Sequence, residues 1–247
     1  MTVFDTVAGD YDAFRPPYPD ALFDHIEMFA GPVAGRRVLD LAAGTGIASR
    51  ALIERGAGVV AADLGADMLR VLRARSGDTA PVVVARAESL PFADSSFDVV
   101  ACATAWHWID EEAGPVEARR VLRDSGTLAL WWGLGGHDTD PECARREQDV
   151  YARWRVGERE PLTQPPSALD PVVVLPARGF VDVVAHEITD TRIVSVREHV
   201  GHVSTHSPVM ALRDDLGAFQ ADLVAVHAGH ETVTENVYCR LVLARRA

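Results

Sequence analysis

Val38-Leu39-Asp40-Leu41-Ala42-Ala43-Gly44-Thr45-Gly46 is an apolar run that passes into a small-residue loop and then into a helical-looking stretch, residues 47–53. Small side chains at Ala42, Gly44 and Gly46 let a ligand touch the backbone, and the start of the following helix offers N–H groups without intrahelical partners. Such a loop is sized for a nucleotide. Asp63 closes the next apolar run, residues 59–62, and lies 17 residues after Gly46, where a carboxylate can accept from both hydroxyls of a ribose. The ligand these residues describe is an adenosine-containing cofactor.

Other side chains with chemical potential are weaker signals. Trp106-His107-Trp108 places two indoles that can wall an apolar site, with His107 as a proton acceptor for a substrate hydroxyl, amine or acidic carbon. The competing reading is that the aromatics pack the core and His107 bonds to the backbone, because no carboxylate partner is visible for it. Trp131-Trp132 reads as packing. His199, His202 and His206 share one helical stretch, but without an HExxH context they do not read as a metal site, and no metal is expected. Cys102, Cys143 and Cys239 have no CxxC spacing and read as buried thiols in a reducing compartment.

The elements that must position these residues alternate. Short β-rich runs at 37–42, 58–64, 82–87, 97–105 and 126–132 are separated by helical stretches at 47–55, 66–76 and 111–122. That alternation implies parallel strands with right-handed crossovers and ligands at the carboxyl ends of the strands. Two cap helices precede the sheet within residues 1–35, broken at Arg15-Pro16-Pro17-Tyr18-Pro19. Residues 133–179 break the rhythm with clustered Gly and Pro around one amphipathic stretch, 142–155, and read as an inserted lid. A sixth strand at 180–188, helices at 195–205 and 209–228, and a seventh strand at 237–245 complete a single domain over residues 1–247, with the cofactor core at 36–132.

Composition narrows the function classes. At 247 residues, 48% hydrophobic, the chain can bury one good core. A formal net charge of -12, with all 24 basic residues Arg and no basic stripe, disfavours nucleic acid as a partner. No stretch approaches 18 apolar residues, so no membrane span is expected and the location reads as cytoplasmic.

The run at 38–46, Asp63 followed by Gly65-Ala66-Asp67-Met68-Leu69, then Ala87-Glu88-Ser89-Leu90-Pro91-Phe92 and Ser96-Phe97-Asp98-Val99-Val100, resembles the successive motifs of class I S-adenosylmethionine-dependent methyltransferases. Tyr11-Asp12, Arg15-Pro16-Pro17-Tyr18-Pro19 and Trp106-His107-Trp108 are similar to the ubiquinone/menaquinone-biosynthesis and trans-aconitate types, which act on small molecules. The resemblance implies an α/β, Rossmann-like seven-stranded sheet whose last strand is antiparallel. It implies S-adenosyl-L-methionine as cofactor, with Ala42, Gly44 and Gly46 against its methionine part and Asp40 supporting its amino group directly or through water. It places Asp63 on the ribose, Leu64 and Met68 on the adenine face, and Ala87 and Glu88 at the adenine edge. Ala103 and Thr104 would lie near the sulfonium, and Tyr11 and Arg15 would close over the carboxylate. For Tyr11 a docked apolar helix face explains the residue equally well, and Arg15 also suits a solvated surface charge. Two departures stand out: Ala42 replaces a glycine common there, and Arg86 an aspartate.

The resulting expectation is methyl transfer to a small organic acceptor, with secondary metabolism as the setting, by a monomer or homodimer. A non-methylating member of the same fold, a cyclase or sensor, is the alternative. A nicotinamide-dependent oxidoreductase fits less well, because Asp40 precedes the loop and the chain has no lysine for a Tyr-x-x-x-Lys pair.

Overall fold

The computed structural model describes residues 8–157 and 170–247. The elements run α1 (Ala8–Phe14), α2 (Asp20–Ala30), β1 (Arg37–Leu41), α3 (Ile47–Glu54), β2 (Gly58–Asp63), α4 (Ala66–Ser76), β3 (Val82–Val84), β4 (Phe97–Ala103) and α5 (Ala113–Val121). They continue as β5 (Leu122–Asp138), α6 (Pro141–Arg153), α7 (Pro171–Val174), β6 (Phe180–Ser195), α8 (Val196–Ser204), α9 (Ser207–Met210), α10 (Leu216–Val226) and β7 (Thr232–Arg246).

The seven strands form one sheet in the order β3-β2-β1-β4-β5-β7-β6. β1 pairs in parallel with β2 on one side and β4 on the other, which is why Val38 to Leu41 are all buried and read as a continuous apolar run broken only by Asp40. β7 pairs antiparallel with both β5 and β6. One core lies on the sheet face that packs α2 and α3, around Leu22, Phe23, Leu52 and Trp131; the opposite face buries Leu39, Phe97, Leu122 and Phe180. A third apolar cluster joins α6, α8 and α10 through Val150, Val203, Phe219 and Leu223, forming a helical cap with its own interior.

Several element ends depart from the sequence reading. β5 does not stop at Trp132 but continues to Asp138, because β7 pairs with it over that whole length and the two form a ribbon that outruns the parallel strands. The first six residues of the supposed lid are therefore sheet. The amphipathic stretch is realised as α6, started by Asp140, whose side chain accepts from the N–H groups of Glu142 and Cys143, with Pro141 at the first helical position. Residues 158–169 of that stretch, and Phe4 and Val7 of the first cap helix, lie outside the described residues. β4 ends at Ala103 rather than 105, since Thr104 takes a left-handed φ of 53° and Trp106–Trp108 form a 3-10 turn. The single long helix expected at 209–228 is interrupted at Arg213, again left-handed, and splits into α9 and α10.

Candidate functional site

Strand order changes direction at β1. β2 and β3 lie to one side and β4 and β5 to the other, so the crevice for a ligand opens at the carboxyl ends of β1 and β4. The loop 42–46, Asp63, Ala87 and Ala103-Thr104 all follow the carboxyl ends of strands along this edge.

The loop is built by conformation more than by open space. Ala42 has φ 56°, Gly44 φ 56° and Gly46 φ 84°, so all three occupy the left-handed region. Ala42 is strained by the methyl group it carries where glycine would be free. A Cβ on Gly46 would lie 2.5 Å from Leu72 Cγ of α4, and one on Gly44 would lie 3.4 Å from Met68 Cε. Gly46 is thus needed for helix α3 to approach α4. Its N–H also bonds to Ala43 O, closing the turn. Gly46 therefore has a packing and turn requirement of its own, beside any contact with a ligand. Met68, 5% exposed, is buried beneath the loop, whereas Leu64, 49% exposed, offers an apolar surface at the mouth.

Asp63 ties the edge together. Its Oδ2 accepts from Gly44 N–H at 2.8 Å and its Oδ1 from Gly65 N–H at 2.6 Å. A carboxylate has about four lone-pair directions, so these bonds orient it without exhausting its capacity to accept. Asp40 is fully buried below the loop. Its Oδ2 accepts from Ser49 Oγ at 2.5 Å, and its Oδ1 has no hydrogen-bond partner. Burial, opposed by the Ser49 bond and assisted by the nearby charge of Asp63, pushes the Asp40 carboxyl up to about 7. An orphaned acceptor in that position suits a cationic or N–H donor ligand.

The N-terminal segment closes one side. Asp12 on α1 is gripped by Arg50 of α3 at 2.9 Å and by Arg75 of α4 at 2.8 Å. Arg15 lies over the Tyr11 ring, 5.0 Å from its centroid; its guanidinium donates to Thr205 O at 3.3 Å, while its Nε is buried without a hydrogen-bond partner. Arg15 lines a pocket together with Tyr18, Ile47, Gly133, Arg192, His202 and Tyr238. Among the described residues the cover over this pocket comes from the 15–19 segment and the β5–β7–β6 ribbon, not from α6.

Thr104 Oγ1 lies 3.2 Å from Tyr18 OH and accepts from Gly133 N–H at 3.3 Å, so the strained end of β4 is pinned to both the cap segment and β5. A β-branched residue at positive φ is an outlier of the kind that clusters at functional sites. Ala103 beside it is half-buried. Ala87 packs half-buried into the core, and Glu88 is held outside it, accepting from Asp110 N–H at 3.1 Å and pairing with Arg86 at 3.4 Å.

His107 Nδ1 accepts a hydrogen bond from Trp132 Nε1 at 3.1 Å. An indole nitrogen can only donate, so His107 keeps its lone pair on Nδ1 and carries its proton on Nε2. Burial holds its pKa below the ordinary value. In this tautomer His107 presents an N–H on Nε2, and its partner on Nδ1 is a side chain rather than the backbone.

Sequence reasoning missed Tyr18, Arg192 and Tyr238 as pocket residues. The proline-flanked Tyr18 carried a signal; Arg192 lies beyond the expected end of its strand and carried none.

Comparison with known proteins agrees with this geometry. Residues 39–130 match the family described as Methyltransferase domain. Over these residues the chain is similar to methyltransferase domains. An uncharacterized methyltransferase of Mycobacterium tuberculosis is 44% identical over 165 residues, 65% of each chain. A demethylmenaquinone methyltransferase of Clavibacter sepedonicus is 45% identical over 126 residues, 49% of this chain and 50% of its own. This chain therefore spans just under two thirds of the length of the mycobacterial relative and half that of the other. A solved putative type II methyltransferase from Anaeromyxobacter dehalogenans superposes with TM-score 0.68 at 26% identity, covering 94% of this chain and 98% of that one. The seven-stranded, Rossmann-like methyltransferase fold is thus established, with its antiparallel strand. No helix among the described residues is long and apolar enough to cross a membrane.

Proposed function

We propose that the protein transfers a methyl group from S-adenosyl-L-methionine to a small organic acceptor. The observation that carries this reading is the pairing of a ribose-ready carboxylate with an orphaned one: Asp63, fixed by Gly44 N–H, and Asp40, whose buried Oδ1 has no partner. A nucleoside bearing an ammonium group matches that donor and acceptor set. Asp63 would take the ribose hydroxyls, Asp40 the amino group, and Leu64 one adenine face. Arg15, with its buried Nε, is placed for the carboxylate, and Ala103 and Thr104 border the sulfonium.

The bound cofactor supplies an electrophilic methyl carbon on a sulfonium, with a neutral thioether as leaving group. The chain's task is then alignment and exclusion of water, and orientation of this kind can lower a barrier by about 7–11 kcal/mol. Tyr18, Thr104 and Gly133 form the hydrogen-bonded wall between the cofactor crevice and the pocket, and the prolines beside Tyr18 stiffen it. His107 offers an Nε2 proton and so orients an acceptor oxygen or nitrogen rather than deprotonating it. Burial, foremost, drives the Tyr18 phenol far above its usual range, so it too remains a neutral hydrogen-bonding group.

Equilibrium dialysis with labelled S-adenosylmethionine, with NADH as the competing probe, tests the cofactor. Saturable uptake displaced by S-adenosylhomocysteine and not by NADH is expected; no uptake at saturating protein removes the proposal. Release of S-adenosylhomocysteine only when an acceptor is supplied separates methyl transfer from a non-methylating role.

A further inference from the structure

Away from the cofactor edge, three residues from three separate segments converge inside the helical cap. Glu147 stands on α6, His199 on α8, and His227 follows the last residue of α10. Glu147 Oε1 lies 2.6 Å from His199 Nε2 and 2.7 Å from His227 Nε2, and all three residues are buried. We propose that Glu147, His199 and His227 bind a zinc ion that pins the cap helices to the β5–β7–β6 ribbon.

The surroundings are those of metal ligands rather than of isolated ion pairs. His199 Nδ1 bonds to Glu235 Oε1 of β7 at 2.7 Å, and Glu235 is itself held by Arg192 of β6 through Nε at 2.6 Å. Fixing a ligating imidazole through its second nitrogen by a carboxylate is what metal sites require of their outer shell. His227 Nδ1 is buried without a hydrogen-bond partner, and Asp138 Oδ2 is the carboxylate beside it at 3.7 Å, beyond hydrogen-bond length. Charge points the same way. Glu147, Glu235 and Asp138 are buried together, and among the described residues the one permanent cation paired with them is Arg192. Burying carboxylates is costly, and a dication would neutralise the three more fully than the protonated His199 that, against burial, its two carboxylate neighbours favour.

Two imidazoles and a carboxylate form a donor set suited to zinc. Cys143 lies one turn ahead of Glu147 on α6, with its sulfur within 4.8 Å of a His227 ring nitrogen. The present separations are hydrogen-bond lengths. An ion with bonds of about 2.0–2.1 Å needs neighbouring tetrahedral ligands about 3.3 Å apart, so the trio must open by roughly half an ångström. An ion on Nε2 takes each ring as the neutral tautomer with its proton on Nδ1, on the side of Glu235 and Asp138 respectively, and any further proton is released to solvent. Because the three ligands are enclosed and none of them lines the cofactor pocket, the site is structural. No HExxH pattern announces it, since the ligands come from three helices and meet only in the folded cap.

The test uses the full chain, stripped with EDTA, incubated with excess zinc chloride, gel-filtered and measured by inductively coupled plasma mass spectrometry. About one zinc per chain is expected, as for a closed structural site, with an unfolding midpoint higher than in EDTA. Cobalt in its place should give the intense visible absorption of a tetrahedral site. His227→Gln and Glu147→Gln should reduce zinc to background, and Glu235→Gln should weaken affinity by about 10- to 100-fold. Where a variant fails to fold by circular dichroism, the wild-type zinc count and cobalt spectrum decide. Folded wild type that retains no zinc, or a folded His227→Gln that retains as much as wild type, overturns the proposal. Either result leaves the cofactor reading untouched, because none of the three proposed ligands lines that pocket.

Discussion

Asp40 is a carboxylate placed where a carboxylate is uncomfortable, and its pH behaviour should show it. Its folded pKa, near 7, lies above the unfolded value of 3.8. Below about pH 4 both states hold the proton and Asp40 contributes no difference. Between about pH 4 and 7 the unfolded chain releases a proton that the folded chain keeps, so ligand-free stability falls with rising pH. Above that it levels, a loss on the order of 4 kcal/mol at most. A cationic ligand beside Oδ1 stabilises the charged form, so cofactor affinity should climb over the same window and level near pH 7. Urea unfolding and calorimetric titration from pH 4 to 8 check both slopes, and Asp40→Asn should flatten both.

Two loop residues give opposite predictions. Gly46→Ala forces a Cβ onto Leu72 in a left-handed turn and should cost about 2–4 kcal/mol of stability. Ala42→Gly relieves a strained methyl and should gain up to about 1 kcal/mol, read as a raised melting temperature without lost binding. The sequence announces that both positions must be small, but not why. The direction of a missing Cβ depends on where α4 lies, which no local pattern reports. His107 is a parallel case: the residue is visible in the sequence, while the Trp132 bond that decides its tautomer exists only across β4 and β5.

α1 is a seven-residue helix that cannot persist alone and is held by its neighbours. Asp12 anchors it to α3 and α4, and the Phe14 ring seats on Gly201 of α8, where a Cβ would come within 2.2 Å. Gly201→Ala should therefore dislodge α1 and carry Tyr11 and Arg15 off the crevice. Weaker cofactor affinity by about tenfold, equivalent to 1.4 kcal/mol, is expected in calorimetry, with the core's unfolding midpoint little changed. Parallel elements such as β1 and α3 were legible because a strand buried on both faces writes an uninterrupted apolar run. The extensions of β5, β6 and β7 were not. Beyond Trp132 the pairing follows Gly-rich and polar sequence such as Gly133 and Asp138, supported by the partner strand rather than by apolar alternation.

On the proposed function, the molecule as a whole divides its labour between an edge for the cofactor and a ribbon and cap that shape the space beyond it. A ligand that binds only the folded state adds stability by mass action, about 2.7 kcal/mol at a hundredfold excess over Kd. S-adenosylmethionine should accordingly raise the unfolding midpoint in proportion to the logarithm of its concentration. The acidic balance of the chain agrees with a small-molecule acceptor and not with a phosphate backbone. On the proposed function, the pocket between Arg15, Tyr18, Arg192 and His202, residues drawn from opposite ends of the chain, is where the acceptor would be selected.

The most direct measurement is calorimetric titration of S-adenosylmethionine into wild type and Asp63→Ala at matched folding by circular dichroism. Saturable binding to wild type and loss of detectable binding in the variant is the predicted result. Equal affinity in the two proteins would contradict the account, because the ribose would then be held by something other than the acid at the end of β2.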